Sequence, residues 1–136
     1  MVIDTSALVA ILQAEPLAAE LRNAIAADSV RLISSMSVLE ATCVLSSRRG
    51  AGAVLELELF FSEFHFQVVP FDRAQLAIAQ RAFLLYGRGR HSAKLNFGDC
   101  ASYALAQDQS EPLLFIGNDF PQTDVRVALT ALPQRS

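Results

Sequence analysis

Four acidic residues of this sequence stand within otherwise apolar stretches, and their carboxylates are the groups best suited to chemistry. The chain has 14 Asp and Glu residues, most of them at expected helix ends or on polar faces. The four exceptions are Asp4, Glu40, Asp99 and Asp119. An ionised carboxylate in apolar surroundings needs a partner, or its pKa rises. Four converging carboxylates would need a bound cation or raised pKa values, and oxygen ligands with several waters suit Mg²⁺ or Mn²⁺.

Each of these acids also has a purely structural interpretation, because short polar side chains cap helices and shape turns. The local patterns that suggest it are Thr5 or Ser6 as the cap of a helix over residues 7–12, Ser37 with Glu40 as a capping box, Asp99 as a helix cap, and Asn118 with Asp119 as a turn. The residues taken singly therefore leave both interpretations open.

The order of the predicted elements favours the joint interpretation. Asp4 and Asp119 each follow a predicted strand, whereas Glu40 and Asp99 lie at the start of predicted helices. In a parallel sheet the strands end at one edge, and ligands bind in the crevice beyond that edge. We therefore expect the four carboxylates to converge there.

Strands that alternate with helices predict right-handed crossovers and a parallel sheet covered on both faces. The expected fold is a three-layer α/β/α sandwich with a central parallel sheet of four to five strands. The strands are predicted at the run ending on Asp4 and at residues 30–33, 66–69, 112–117 and 127–132, the last as a short edge strand. The helices are predicted at residues 7–12, 17–28, 37–49, 53–64, 73–86 and 98–107.

Length and composition suggest a single domain over residues 1–136. The chain is 52% hydrophobic and carries a net charge of −3, which excludes a disordered tail and allows a large core or an apolar partner surface. Cys43 and Cys100 lack the spacing of a zinc site or a disulfide framework, so we expect a reducing, cytoplasmic location. No signal peptide and no run of about 20 apolar residues is present, so we expect no membrane insertion.

A basic loop precedes Asp99. Arg88, Arg90 and Lys94 are three of the eleven Lys and Arg residues, and Asn96 follows them directly. A solvated linker would explain the loop if it stood alone. Beside an acidic metal pocket it is suited to binding the phosphate backbone of RNA, in spite of the negative net charge.

With these residues assembled, the chain resembles the PIN-domain ribonucleases, and among them the VapC toxins of bacterial toxin–antitoxin pairs. The resemblance covers nearly the whole chain. It rests on Met1-Val2-Ile3-Asp4-Thr5-Ser6-Ala7-Leu8, on Ser37-Val38-Leu39-Glu40, on Tyr86-Gly87-Arg88-Gly89-Arg90-His91 leading to Leu95-Asn96-Phe97-Gly98-Asp99-Cys100, and on Leu113-Leu114-Phe115-Ile116-Gly117-Asn118-Asp119-Phe120 with Thr123-Asp124.

The resemblance implies an endoribonuclease that depends on Mg²⁺, or on Mn²⁺ in its place, and an RNA substrate. It assigns the catalytic and metal-binding roles to Asp4, Glu40, Asp99 and Asp119. Substrate binding is expected from Thr5 and Ser6, beside the first acid, and from the loop residues Arg88, Arg90, Lys94 and Asn96. It also implies a VapB-like antitoxin and a homodimer, and we expect the helices over residues 17–28 and 53–64 to form the antitoxin groove.

Three other classes fit the sequence less well. A haloacid-dehalogenase-type phosphatase needs a second Asp two residues after the first, where this chain has Ser6. A phosphorelay receiver domain needs a Lys that ends a strand, and Lys94 lies in a loop. A non-catalytic PIN-like binding module stays open as an alternative, and it predicts no metal affinity.

Overall fold

The computed structural model describes residues 1–129. Along the chain it contains β1 (Val2–Ile3), α1 (Thr5–Leu12), α2 (Ala18–Ala27), β2 (Leu32–Ser34), α3 (Ser35–Arg49), α4 (Gly52–Glu63), β3 (Gln67–Val69), α5 (Arg73–Tyr86), α6 (Phe97–Gln109), β4 (Leu113–Leu114) and a 3₁₀ turn over Phe120–Gln122.

The strands form one parallel sheet in the order β3-β2-β1-β4. Val2 is paired with both Leu32 and Leu113. Because successive side chains of a strand point to opposite faces, these three residues lie on one face of the sheet and their neighbours on the other. The first strand of the sequence therefore occupies an interior position between β2 and β4.

Both faces of the sheet are covered by helices, which confirms the predicted α/β/α sandwich. On one face, Ile3, Ile33 and Leu114 pack with buried residues of α1 to α4. On the other face, Val2 and Leu113 pack with buried residues of α5 and α6. Each fully buried aliphatic side chain of this kind contributes roughly 1.5–3 kcal/mol relative to an exposed one.

The helix starts differ from those expected. Asp4 itself is the N-cap of α1, so the prediction that Thr5 or Ser6 caps this helix is wrong. The cap of α3 is Ser34, which accepts a hydrogen bond from the Met36 N–H, so the expected capping box of Ser37 and Glu40 is also wrong. Ser34, Ser35 and Ser37 all lie near the start of α3, and the end of β2 decides which of them becomes the cap.

Two predicted strands are shorter in the structure. The strand expected over residues 112–117 is paired only at Leu113–Leu114, because the chain bends away from the sheet beyond the end of β1. Of the edge strand expected over residues 127–132, the described part contributes one bridge, between Val127 and Leu113. Residues 130–132 lie outside the described residues. Within residues 1–129, no helix is long and apolar enough to cross a membrane.

Arg31 ties the ends of two helices together. Its Nε donates to the Ile25 carbonyl at 2.7 Å, and its Nη1 donates to the Phe64 carbonyl at 2.8 Å. Its Nη2 donates to the Ala26 carbonyl at 3.1 Å. The last carbonyls of a helix have no partner inside the helix, so one guanidinium satisfies such groups at the ends of both α2 and α4.

We expect Arg31→Met to lower the free energy of unfolding by about 2 kcal/mol, because the apolar stem is retained while the charged hydrogen bonds are lost. Arg31→Lys should lower it by a similar amount, since one ammonium lacks the planar fork that reaches three carbonyls. Urea denaturation measures both, with Arg81→Met on the exposed side of α5 as the matched control. An Arg31→Met midpoint equal to that of the control would contradict the prediction.

Candidate active site

Asp4 is held by the turn that joins β1 to α1. Its side chain is only 3% exposed. Oδ2 accepts hydrogen bonds from the Ser6 N–H at 3.0 Å and from the Ser6 hydroxyl at 2.7 Å. The same hydroxyl accepts a hydrogen bond from the Ile116 N–H at 3.0 Å, beyond the end of β4. Asp4 Oδ1 is buried and has no hydrogen-bond partner among the described residues, so one oxygen of this acid is left for a ligand.

Asp99 is fixed in the first turn of α6. The Asn96 side chain accepts a hydrogen bond from the Asp99 N–H at 2.8 Å, and Asp99 Oδ2 accepts one from the Asn96 N–H at 3.0 Å. This reciprocal pair is a capping box. The cap is therefore Asn96, whereas Asp99 occupies the third helical position.

The Glu40 carboxylate lies against the backbone of Gly98, the residue before Asp99. A Cβ at Gly98 would lie 2.6 Å from Glu40 Oε2 and 2.7 Å from Oε1. Any side chain at position 98 would therefore displace the Glu40 carboxylate. Gly98 lets the backbone at the start of α6 pass close to the acid on α3.

The three carboxylates of Asp4, Glu40 and Asp99 line one pocket of about 460 Å³ at the carboxyl edge of the sheet, which we call the acidic pocket. Its lining residues are Asp4, Thr5, Ser6, Val9, Glu15, Glu40, Val44, Arg48, Asp99, Ile116 and Gly117. Asp119 does not line this pocket, but it follows β4 at the same edge and its charge acts on Asp99.

The pKa of Asp99 reflects the electrostatics of the acidic pocket. The pKa of this carboxyl is raised to about 7, and burial is the largest cause. The hydrogen bond from the Asn96 N–H lowers the pKa, whereas the charges of Asp4, Glu40 and Asp119 add to the rise. Three of the four predicted acids line one pocket, and the fourth, Asp119, acts on Asp99 through its charge. A nearby cation would relieve this repulsion.

The donor set of the acidic pocket fits a hydrated hard cation. Its acidic lining residues offer carboxylate oxygens, and no His or Cys is among the lining residues named above. In the part of the chain that the structure describes, no three acidic, His or Cys side chains lie close enough together to enclose an ion. Mg²⁺ commonly binds through one or two carboxylates and keeps several waters. The unpartnered Asp4 Oδ1 fits such a ligand.

The structure gives the other predicted site residues varied surroundings. Thr5 donates its hydroxyl to the Ser37 carbonyl at 3.3 Å, while Ser6 and Asn96 are engaged by the acids that they orient. The basic residues Arg88, Arg90 and Lys94 are exposed, and none of them is among the lining residues of the acidic pocket.

Arg48 is a pocket residue that the sequence reasoning missed. It lies in the last turn of α3, and it is the cation among the described residues that line the acidic pocket. Glu40, Val44 and Arg48 are spaced by four residues and all line the pocket. This spacing places them on one face of a helix, and it is the signal that could have identified Arg48.

Residues 1–126 match the PIN-domain family. The chain therefore belongs to the PIN-domain family. This assignment excludes the phosphatase and receiver classes considered from the sequence.

Curated relatives indicate which group of PIN-domain proteins the chain resembles. Ribonuclease VapC30 of Mycobacterium tuberculosis is 46% identical over 133 residues, which cover 98% of this chain and 100% of the relative. Ribonuclease VapC of Mycolicibacterium smegmatis is 50% identical over 125 residues, with 92% and 97% covered. Within the PIN-domain family, the chain is grouped with the VapC ribonucleases.

Solved structures agree with the fold. VapC20 of Mycobacterium tuberculosis, a sarcin–ricin-loop-cleaving toxin, has a TM-score of 0.76 at 16% identity, covering 91% of this chain and 95% of that one. VapBC2 from Rickettsia felis, bound to a DNA fragment from its promoter, has a TM-score of 0.72 at 14% identity, with 93% and 94% covered. At these identities the likeness concerns the fold alone.

We expect the metal-free chain to lose stability as the pH rises from about 4 to about 7. The pKa of Asp99 is about 7 in the folded chain and 3.8 without the fold. Between these values the folded state binds a proton that the unfolded state has released, so the free energy of unfolding falls as the pH rises. Below that window both states are protonated, and above it both are ionised.

Thermal melts of chelator-treated protein across this range measure the effect. Asp99→Asn should remove most of the fall, because the amide does not ionise. Asp108→Asn changes an exposed acid near the other end of α6 and serves as the control. Melting curves of Asp99→Asn and Asp108→Asn with the same pH dependence would refute the assignment.

Proposed function

We propose that this chain is the toxin of a VapBC-type toxin–antitoxin pair, a single PIN domain that hydrolyses RNA phosphodiester bonds with the help of Mg²⁺. The observation that carries the proposal is the buried, unpartnered Asp4 Oδ1 in a pocket that Glu40 and Asp99 also line. Burial and the charges of Asp4, Glu40 and Asp119 raise the pKa of Asp99 there to about 7. Such a site is unfavourable when empty and ionised, and a divalent cation stabilises it.

Asp4 and Asp99 are the carboxylates that would hold the cation, with Glu40 and Asp119 adding negative charge around it. The Ser6 hydroxyl and N–H orient Asp4 by binding Oδ2, which leaves Oδ1 for the ion. The Asn96 N–H orients Asp99 in the same way. Mn²⁺ has the same preference for oxygen ligands and would replace Mg²⁺.

When bound, the cation supplies Lewis-acid polarisation of the phosphoryl group and lowers the pKa of an attacking water. The protein supplies orientation. The chain's own residues fix the carboxylates before substrate arrives, so little reorganisation is needed during the reaction. The exposed residues Arg88, Arg90 and Lys94 would attract the RNA backbone from outside the pocket.

We expect Asp4→Asn and Asp99→Asn each to lower Mg²⁺-dependent RNA cleavage by about 100-fold or more, because each removes a charged ligand. Both variants should stay folded, since an amide oxygen accepts the same backbone hydrogen bonds. Cleavage of total RNA by purified protein measures the effect, and circular dichroism checks the fold. Asp108→Asn is the control and should cleave at the unmodified rate.

Retained cleavage by either purified variant, with host nucleases excluded, would contradict the assignment of these acids. A wild-type chain that binds RNA and cleaves none of it in Mg²⁺ or Mn²⁺ would support the non-catalytic binding module instead.

An antitoxin would bind in a groove bordered by α1, α2 and α4. The groove has a volume of about 370 Å³, and it is lined by Ile11, Leu12, Ala14, Arg22, Glu56, Leu59, Phe60 and Glu63. Leu55 and Leu59 on α4 are 63% and 61% exposed. An amphipathic helix or an extended peptide with apolar anchors would cover these side chains. The antitoxin groove expected from the sequence, at residues 17–28 and 53–64, uses these same helices.

A second apolar surface is suited to self-association. It centres on a pocket of about 470 Å³ lined by Met36, Phe71, Leu76, Ala79, Gln80, Phe83, Leu84, Phe97, Cys100 and Ala101. Leu76, Leu84 and Phe97 are 43%, 58% and 72% exposed. We propose that two copies of the chain pair through this surface of α5 and the start of α6.

Each surface is tested by a double Leu→Ser variant. The two variants should have opposite effects on antitoxin binding and on dimerisation. Leu55→Ser with Leu59→Ser should weaken antitoxin binding at least tenfold and leave the dimer intact, because Leu59 lines the groove and Leu55 is exposed one turn away on the same helix. Leu76→Ser with Leu84→Ser should yield a monomer that still binds the antitoxin. Calorimetry and sedimentation measure the two properties. Unchanged antitoxin affinity in the first variant would remove α4 from the interface.

A further inference from the structure

Arg48 is placed where the acidic pocket needs a positive charge. RNA carries one negative charge per nucleotide, and a pocket walled by Asp4, Glu40 and Asp99 repels it. A bound cation compensates for this repulsion near the acids. Glu40 and Arg48 are eight residues apart on α3, so their backbones are separated by about 12 Å along the helix axis. Arg48 therefore brings its charge to the pocket about two helical turns from Glu40, and Glu15 is a further acid of the lining.

The guanidinium of Arg48 is available for a ligand. Arg48 is exposed, and no carboxylate of residues 1–129 lies within 4.0 Å of its side-chain nitrogens. The adjacent Arg49 is different, because it donates to the Leu12 carbonyl at 2.7 Å and to Glu56 Oε1 at 2.5 Å. The two neighbouring arginines therefore differ in role: Arg49 joins α3 to α1 and α4, whereas the guanidinium of Arg48 makes no such contact within residues 1–129.

Part of the pocket lining beside Arg48 is apolar. Val9 of α1 and Val44 of α3 line the pocket, and Val44 lies one helical turn from both Glu40 and Arg48. A nucleotide fits such a wall, with its phosphate near a guanidinium and its sugar or base against the valines. A basic residue in the last turn of a helix also stabilises the helix dipole. That structural role predicts an effect on folding and none on RNA binding.

We infer that Arg48 binds a backbone phosphate next to the scissile one, and that the RNA strand runs along the α1–α3 side of the acidic pocket over Val9 and Val44. This inference rests on the proposed ribonuclease function and assigns a substrate-positioning residue to it. Arg48 contributes binding energy equally before and during the reaction, because the phosphate that it contacts does not react.

Arg48→Ala should therefore raise KM for an oligoribonucleotide about tenfold while kcat changes by less than about twofold. In an Asp4→Asn background, which separates binding from cleavage, the slope of log affinity against log salt should fall by about 0.7 for the one lost phosphate contact. Arg48→Lys should restore the slope, since it keeps the charge. Arg81→Ala removes an equal charge from the exposed side of α5 and should move neither quantity.

Arg48→Gln provides the same test with a long side chain if Arg48→Ala does not fold. A wild-type chain that cleaves RNA, together with Arg48 variants that match Arg81→Ala in KM and salt slope, would overturn this inference alone. Loss of stability or of antitoxin affinity without a change in salt slope would overturn it as well. A wild-type chain that neither binds nor cleaves RNA would overturn the proposed function, and the role of Arg48 with it.

Discussion

Repulsion among carboxylates is the constraint on which the site depends. Asp4, Glu40, Asp99 and Asp119 come from four separate segments, and nothing local to any of them favours the others. Only the parallel sheet and the packed helices on its two faces hold them at one edge. The core must therefore supply enough burial to stabilise an arrangement of charges that is unfavourable without a ligand.

Local contacts fix the orientation of each carboxylate in spite of this repulsion. Ser6 engages one oxygen of Asp4, Asn96 engages one oxygen of Asp99, and the absent side chain of Gly98 makes room for Glu40. The contacts from Ser6 and Asn96 are hydrogen bonds from N–H and O–H groups, which stabilise a carboxylate without neutralising it. The net charge of the pocket therefore stays available for a cation.

The sequence was sufficient to predict the parallel sheet and the shared pocket of Asp4, Glu40 and Asp99, because strands separated by helices leave few topologies. It did not predict that Asp119 lies outside that pocket. It was insufficient for the helix starts. Ser34, Ser35 and Ser37 all have the chemistry of a cap, and the choice of Ser34 depends on where β2 pairs with β1 and β3. Arg48 was missed for a related reason. Its position in a last helical turn already had a local explanation, and its relation to Asp4 exists only in three dimensions.

The hydroxyl of Ser6 joins two parts of the chain that are 110 residues apart, because it bonds both to Asp4 and to the Ile116 N–H. During translation, β1 leaves the ribosome first, and β2 follows soon after as its neighbour on one side. The neighbour on the other side, β4, is synthesised about 110 residues later. The surroundings of Asp4 are therefore complete only once the segment that carries Ile116 has folded against β1. If the chain is the proposed ribonuclease, its acidic pocket would form late in folding, because it needs segments far apart in the sequence.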